Sequence, residues 1–173
     1  MIEKIRSMPT GARNVTRTND SASLWNCTLS PGWTAEEVEV LRKALMKFGI
    51  GNWTKIIEAE VLVGKTIAQM NLQTQRMLGQ QSTAEFSGLF MDPYVIGEIN
   101  SKKVGDSIKR KNGFIINTEG KISREEIRKR REENRLLYQI SKKERDEIVL
   151  KKSDSLVRVH IIPYYNNVLK NIN

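Results

Sequence analysis

The sequence predicts a mainly α protein: a three-helix helix-turn-helix unit with an added C-terminal helical segment, then a basic hairpin, a long charged helix and a short terminal strand. Three observations carry this expectation. Apolar residues between Trp33 and Leu78 recur at helical steps rather than strand alternation. Helix-capping pairs stand at the start of successive runs. Beyond residue 100 the chain exchanges apolar residues for Lys, Arg and Glu, with Asn112-Gly113 as a hairpin signal and an alternating pattern near the end.

In the first helix, Val38, Leu41, Leu45 and Phe48 form the apolar stripe. Thr34 with Glu37 makes a capping box that starts it near Ala35, and Gly49 and Gly51 stop it. Asn52 caps a shorter second helix that carries Trp53, Ile56 and Ile57 on one face. Gly64 turns the chain, and Thr66 with Gln69 opens a third helix running to about Leu78, before Gly79. The expected core is Trp33, Leu41, Leu45, Phe48, Trp53, Ile56, Ile67 and Met70. The stretch Ala59 to Thr66, "AEVLVGKT", also fits the loosest form of a nucleotide phosphate loop. That loop requires a buried strand before it, whereas helices precede this one, so Gly64-Lys65-Thr66 reads as a turn and a helix cap.

Composition bounds the function. At 173 residues, 39% hydrophobic, the chain holds one small domain with extensions or two very small ones. Its longest apolar runs fall well short of the 18 or so residues of a membrane span, and no apolar leader core opens it. A single cysteine, Cys27, and a single histidine, His160, leave no disulfide framework and no cluster of zinc ligands, so no metal site is expected. The net charge of +9 is unevenly spread. Residues 33–81 carry six Lys/Arg against five Asp/Glu, whereas residues 82–173 carry nineteen against thirteen. An acidic partner is therefore approached mainly by the arms.

The spacing of Trp33 and Trp53 and the run "WTAEEVEVLRKALMKFGIGNWTKI" resemble a Myb/SANT repeat, a homeobox-like helix-turn-helix. "GKTIAQMNLQTQRML" then looks like the opening of that family's third helix, with Lys65 where arginine is usual and Thr74 where a third tryptophan is usual. The missing volume is expected to be filled by Phe86, Leu89 and Phe90 from an added segment, with Trp25 and Leu29 as an N-terminal staple. That segment begins with a capping box in Ser82 and Glu85, followed by an Asp92-Pro93 helix start. The resemblance implies groove-facing positions at Ala68, Asn71, Leu72 and Gln75. Asn and Gln suit adenine, and the apolar pair suits a thymine methyl. With Lys65 and Arg76 as the nearby cations the phosphate footprint is thin, so DNA contact and protein contact both stay open for this helix.

In the tail, Lys109, Arg110 and Lys111 fall at the tip of the Asn112-Gly113 hairpin, with Lys102 and Lys103 nearby. The cluster suits a phosphate contact, a nuclear localisation signal or a solvated face. Ser123 with Glu126 opens a charged helix too sparse in apolar residues to fold alone, and Ser141 with Glu144 offers a restart after a kink. "LVRVHII", with Val157, Val159 and Ile161 on one side, reads as an edge strand suited to pairing with the hairpin or with another protein.

No nucleophile sits with a base, and "MDPYV" reads as a helix start, so no catalytic residue is nominated and no small-molecule substrate is expected. The expected organisation is a flexible basic arm (1–23), the Myb/SANT-like domain (24–99), a basic linker or hairpin (100–122), a charged helix (123–152) and a partner-binding segment (153–173). The stretch from residue 24 to about 90 is also similar to homeobox-like, non-catalytic subunits that accompany adenine-N6 DNA methyltransferases. That resemblance implies a nuclear protein that places a catalytic partner on duplex DNA and itself binds no S-adenosylmethionine. A stand-alone Myb-like regulator and a SANT-type protein scaffold are the alternatives.

Overall fold

The computed structural model describes residues 29–118 and 120–153. Its first three helices, α1 (Ala35–Phe48), α2 (Trp53–Glu58) and α3 (Ile67–Leu78), start where local chemistry dictates. The Thr34 hydroxyl accepts from the Glu37 amide while the Glu37 carboxylate accepts from the Thr34 amide, and Thr66 and Gln69 repeat this arrangement at α3. Asn52 precedes α2 but does not cap it: its side-chain amide turns back and donates to the Phe48 carbonyl at the end of α1, 2.6 Å away.

The core is built from the inward stripes. Leu41, Leu45, Ile56, Met70 and Met77 are fully buried, Trp33 nearly so, and Phe48 and Trp53 pack half-buried against them. Each fully buried side chain of this size contributes on the order of 1.5–3 kcal/mol. Two expectations are corrected. Ile67 is not in the core but 48% exposed, because it is the first residue after the Thr66 cap, and Val61 and Leu62 of the preceding turn supply the core at that end. Ile57 is likewise 50% exposed; on a helix as short as α2 only Ile56 points fully inward.

The position that lacks a tryptophan is closed by polar bonds and by added apolar residues. Thr74 and Gln73 are both fully buried. The Thr74 hydroxyl donates to the Met70 carbonyl, and the Gln73 side-chain oxygen accepts from the Ser30 amide. A single 3-10 turn (Ala84–Phe86) and α4 (Pro93–Lys102) follow, burying Phe86, Leu89, Met91 and Ile96 in the same core, with α4 packed along α3. Phe90 is only half-buried. Ser82 and Glu85 do not form a capping box there; Glu85 instead accepts from the Gln80 side chain. Reciprocal backbone bonds, Ile50 N to Leu89 O and Gly88 N to Ile50 O, fix this segment beside the α1–α2 loop. Asp92 caps α4 through the Tyr94 amide and takes a bidentate pair of bonds from Arg42 of α1, whose guanidinium also lies 4.5 Å from the Tyr94 ring centre. This pairing raises the Arg42 pKa further above its ordinary value. Leu29, expected as a staple, is 47% exposed, and Trp25 lies outside the described residues.

The hairpin is present, with β1 (Arg110–Lys111) antiparallel to β2 (Phe114–Ile115). Asn112 and Gly113 both take positive φ, as a type I′ turn requires. Beyond it the charged segment forms two helices, α5 (Arg124–Tyr138) and α6 (Lys142–Glu147), the second opened by the Ser141–Glu144 capping box. Neither buries a residue fully. They nevertheless strap the domain. Arg131 donates to the Ala84 carbonyl, the Ile140 amide to the Phe90 carbonyl, and Lys47 of α1 to the carbonyls of Arg145 and Ile148. The Arg145 guanidinium lies 3.9 Å from the Phe90 ring centre, and Tyr138 and Leu150 pack on the core. The strap ends at the α2–α3 turn, where Lys152 pairs with Glu60 and the Ser153 amide donates to the Glu60 carbonyl. The terminal strand expected around 156–162 and the arm at 1–23 lie outside the described residues.

Candidate nucleic-acid interface

Helix α3 is covered on one face and open on another. Met70, Gln73, Thr74, Met77 and Leu78 face the core and α4. Ala68 and Leu72 are exposed, and Asn71 and Gln75 are half-buried between the two faces. These four positions form the open stripe, spaced at one, four, five and eight residues after Ile67. Gln75 is already engaged: its side-chain amide donates to the Gln81 carbonyl at 2.8 Å. Arg76, half-buried near the end of α3, lies in the same last turn.

Lys65 sits elsewhere in the chemistry. Its ammonium donates to the Gly32 carbonyl at 2.6 Å, pairs with Glu37 at 2.9 Å and lies 4.9 Å from the Trp33 ring centre. The side chain is only 11% exposed. It clamps the start of α1 to the α2–α3 turn and offers no free charge to a phosphate. The same geometry answers the nucleotide-loop motif: Gly64-Lys65-Thr66 is a turn, an intramolecular clamp and a helix cap.

The basic hairpin is attached to the C-terminal end of α3. The Ile115 amide donates to the Gly79 carbonyl and the Gln81 amide to the Ile115 carbonyl, both at 2.8 Å. Gly79 has a φ of 68°, and a Cβ there would approach the Asn100 Cβ at 3.4 Å, so this junction is tight as well as left-handed. Buried Asn100 donates to the Leu78 carbonyl and to the Gln80 side chain. Arg110 is a brace rather than a tip residue: its guanidinium donates to the carbonyls of Asn100 and Lys103 at the end of α4, and desolvation there lowers its pKa. Lys109 and Lys111 are exposed, as are Lys102 and Lys103, with Lys102 paired to Glu98 on the surface.

The residues that hold the hairpin in place, Gln81 and Asn100, were not among the sequence candidates. Nothing local marks them: their partners are Ile115, Leu78 and Gln80, across the chain. Among the described residues no group of His, Cys, Asp and Glu is arranged to hold a metal, and no helix is long and apolar enough to cross a membrane.

Comparison with curated proteins and with solved structures yields no match. Comparison with protein families matches residues 30–78, from the turn before α1 to the last residue of α3, to the Myb-like DNA-binding domain.

Proposed function

We propose that this chain is a nuclear duplex-DNA-binding accessory subunit, in which α3 meets base edges and the docked hairpin meets the phosphate backbone. One observation carries the reading: the hairpin is bonded to the end of α3 rather than tethered to it. Asn71 and Gly79 are separated by about 12 Å along a helix axis, comparable to the width of the B-DNA major groove. A basic hairpin held rigidly at that separation suits the phosphate strand flanking a groove that α3 occupies. Lys109 and Lys111, with Lys103, are the cations that remain available; Arg110 and Lys65 have structural tasks.

The test is duplex binding as a function of salt. Lys109→Ala with Lys111→Ala should weaken binding and reduce the salt slope by about 1–2. Asn71→Ala should leave the slope unchanged and relax base preference by about 1–3 kcal/mol. Parental binding by both variants would remove the assignment.

The finer role, placing an adenine-N6 methyltransferase on DNA, is supported by the sequence resemblance of residues 24–90. Exposed Leu136 and Leu137 on α5 offer a catalytic partner an apolar contact. Capture of the tagged chain from extract, followed by a methyl-transfer assay on duplex adenine, tests it. Transfer that depends on this chain supports the role, and its absence leaves a Myb-like DNA-binding protein. A specific observation favours one second reading, a SANT-type protein-docking unit: Ile57, Val63, Ile67 and Leu72, on or near α3, are large apolar side chains left exposed.

A further inference from the structure

The hairpin, the end of α4 and the start of α5 do not close fully against one another. Between them lies a cleft of about 260 Å³. Sites that take drug-sized ligands run from roughly 300 to 1,000 Å³, so this one suits a smaller occupant of about one ring system. Its apolar walls are Ile108, Ile115 and Ile116 around the hairpin and Ile122 before α5, all half-buried.

The charges at this cleft cancel. Lys103 lines it with Glu85, whose carboxylate accepts from the Gln80 side chain, and Arg130 enters already paired with Glu126 at 2.8 Å. A charged ligand would leave its hydration with no net opposite charge to replace it, so the cleft favours a neutral one. Asn100 adds a direction. It lines the cleft, is only 1% exposed, and uses its side-chain N–H groups on the Leu78 carbonyl and the Gln80 side-chain oxygen, each at 2.8 Å. Both partners are acceptors, which fixes the orientation of the amide and leaves its oxygen over. That oxygen is buried and has no donor among the described residues. An acceptor buried without a partner costs free energy, which a ligand N–H would recover.

We propose that this cleft binds a nucleobase, with its faces against the isoleucines and an edge N–H on the Asn100 oxygen. A neutral heterocycle combines the size, the apolar faces and the polar edge that the cleft asks for. A partner's Asn or Gln side chain offers the N–H but too little surface for four isoleucines. In a duplex the base edges are paired and the faces stacked, so the base must be unstacked, as in a bulge. The inference deepens the proposed function and rests on it for the source of the base: the hairpin also carries exposed Lys109 and Lys111, the cations assigned there to the phosphates.

The test uses the full chain and its Ser107→Trp variant, which fills the cleft from an exposed lining residue outside the core; Thr118→Trp, at another exposed lining residue, serves if the first does not fold. Deoxynucleosides are titrated singly. At least one should shift the methyl resonances of Ile108, Ile115, Ile116 and Ile122 and the Asn100 side-chain amide, saturably, and the variant should abolish the shifts while the Leu45 and Met77 methyls stay in place. Shifts that persist in the variant would overturn the inference. So would equal shifts from propionamide, which carries the amide without the ring and would mark a peptide side-chain site. In a second arm, a duplex with one bulged nucleotide should bind about tenfold tighter than its fully paired counterpart, and the variant should lose that preference. The absence of both nucleoside shifts and bulge preference would overturn the proposal. Nucleoside shifts with equal affinity for the two duplexes support base recognition and make a free nucleoside the occupant. Nucleoside shifts with no duplex binding at all support the cleft while removing the proposed DNA-binding function.

Discussion

The Myb-like unit and the strap are both helical, and they are held by different forces. Helices α1, α3 and α6 all begin with a complete capping box, so local chemistry starts them equally well. What differs is the inward face. Helix α1 buries Val38, Leu41, Ala44 and Leu45 and α3 buries Met70, Met77 and Leu78, whereas α5 and α6 bury no residue fully. The strap is attached by polar contacts of Arg131, Lys47, Arg145 and the Ile140 amide, with only Tyr138 and Leu150 packed, partly buried, on the core. Capping decides where a helix starts; apolar burial decides how much of the domain's cooperativity it shares.

That contrast can be broken most severely in the core. Leu45→Ala, at a fully buried site, should cost about 2–5 kcal/mol and lower the thermal midpoint of the whole unit, while Leu136→Ala, at an 80% exposed site on α5, should change stability by no more than about 0.5 kcal/mol. Equal effects in calorimetry would mean that the strap is part of the core. Next in size is Arg42→Met, which leaves Asp92 without its bidentate partner between α1 and α4. It should cost about 1.5–3 kcal/mol in chemical denaturation.

A smaller change should detach the strap alone. Arg145→Ala removes the contact with Phe90, on the order of 0.5–1 kcal/mol. Hydrogen exchange should then speed up across residues 140–150 while α1 and α3 keep their protection; uniform deprotection would contradict the separation of the two regions. The smallest effect is at the strap's end. Pairing with Lys152 lowers the Glu60 pKa below its ordinary 4.5 and raises that of Lys152 above its ordinary 10.5. The stabilisation is therefore present between these values. It is lost as pH falls through the lowered Glu60 value and again as pH rises through the raised Lys152 value. Both groups are exposed, so the fraying should be visible only locally, as loss of the Ser153 amide's bonded chemical shift as the pH falls through the lowered Glu60 value. Glu60→Gln should show that frayed signal at neutral pH.

Much of the candidate interface was legible because its determinants are local. The Asn112-Gly113 turn places Lys111 on an exposed hairpin, and the helical period alone puts Ala68 and Leu72 on the side of α3 opposite Met70 and Met77. Arg110 shows where this kind of reading stops. It lies between two exposed lysines in sequence, yet its carbonyl partners are Asn100 and Lys103. Three neighbouring cations look equivalent until the chain folds back on itself.

The sequence by itself determined where α1, α3 and α6 begin and where the hairpin turns, because their capping boxes and the Asn-Gly turn act within a few residues of one another. It also determined that the strap would be helical without a core of its own. Only the tertiary structure decided which charges remain available. Lys65 is spent on Gly32 and Glu37, about thirty residues away, and Arg42 on Asp92, fifty residues on. It also decided that Val61 and Leu62 fill the core where Ile67 was expected, and that the hairpin is bonded to α3. A charge or a methyl group is assigned by whatever lies nearest in space, and that neighbour is set by packing across the chain rather than by the order of residues along it.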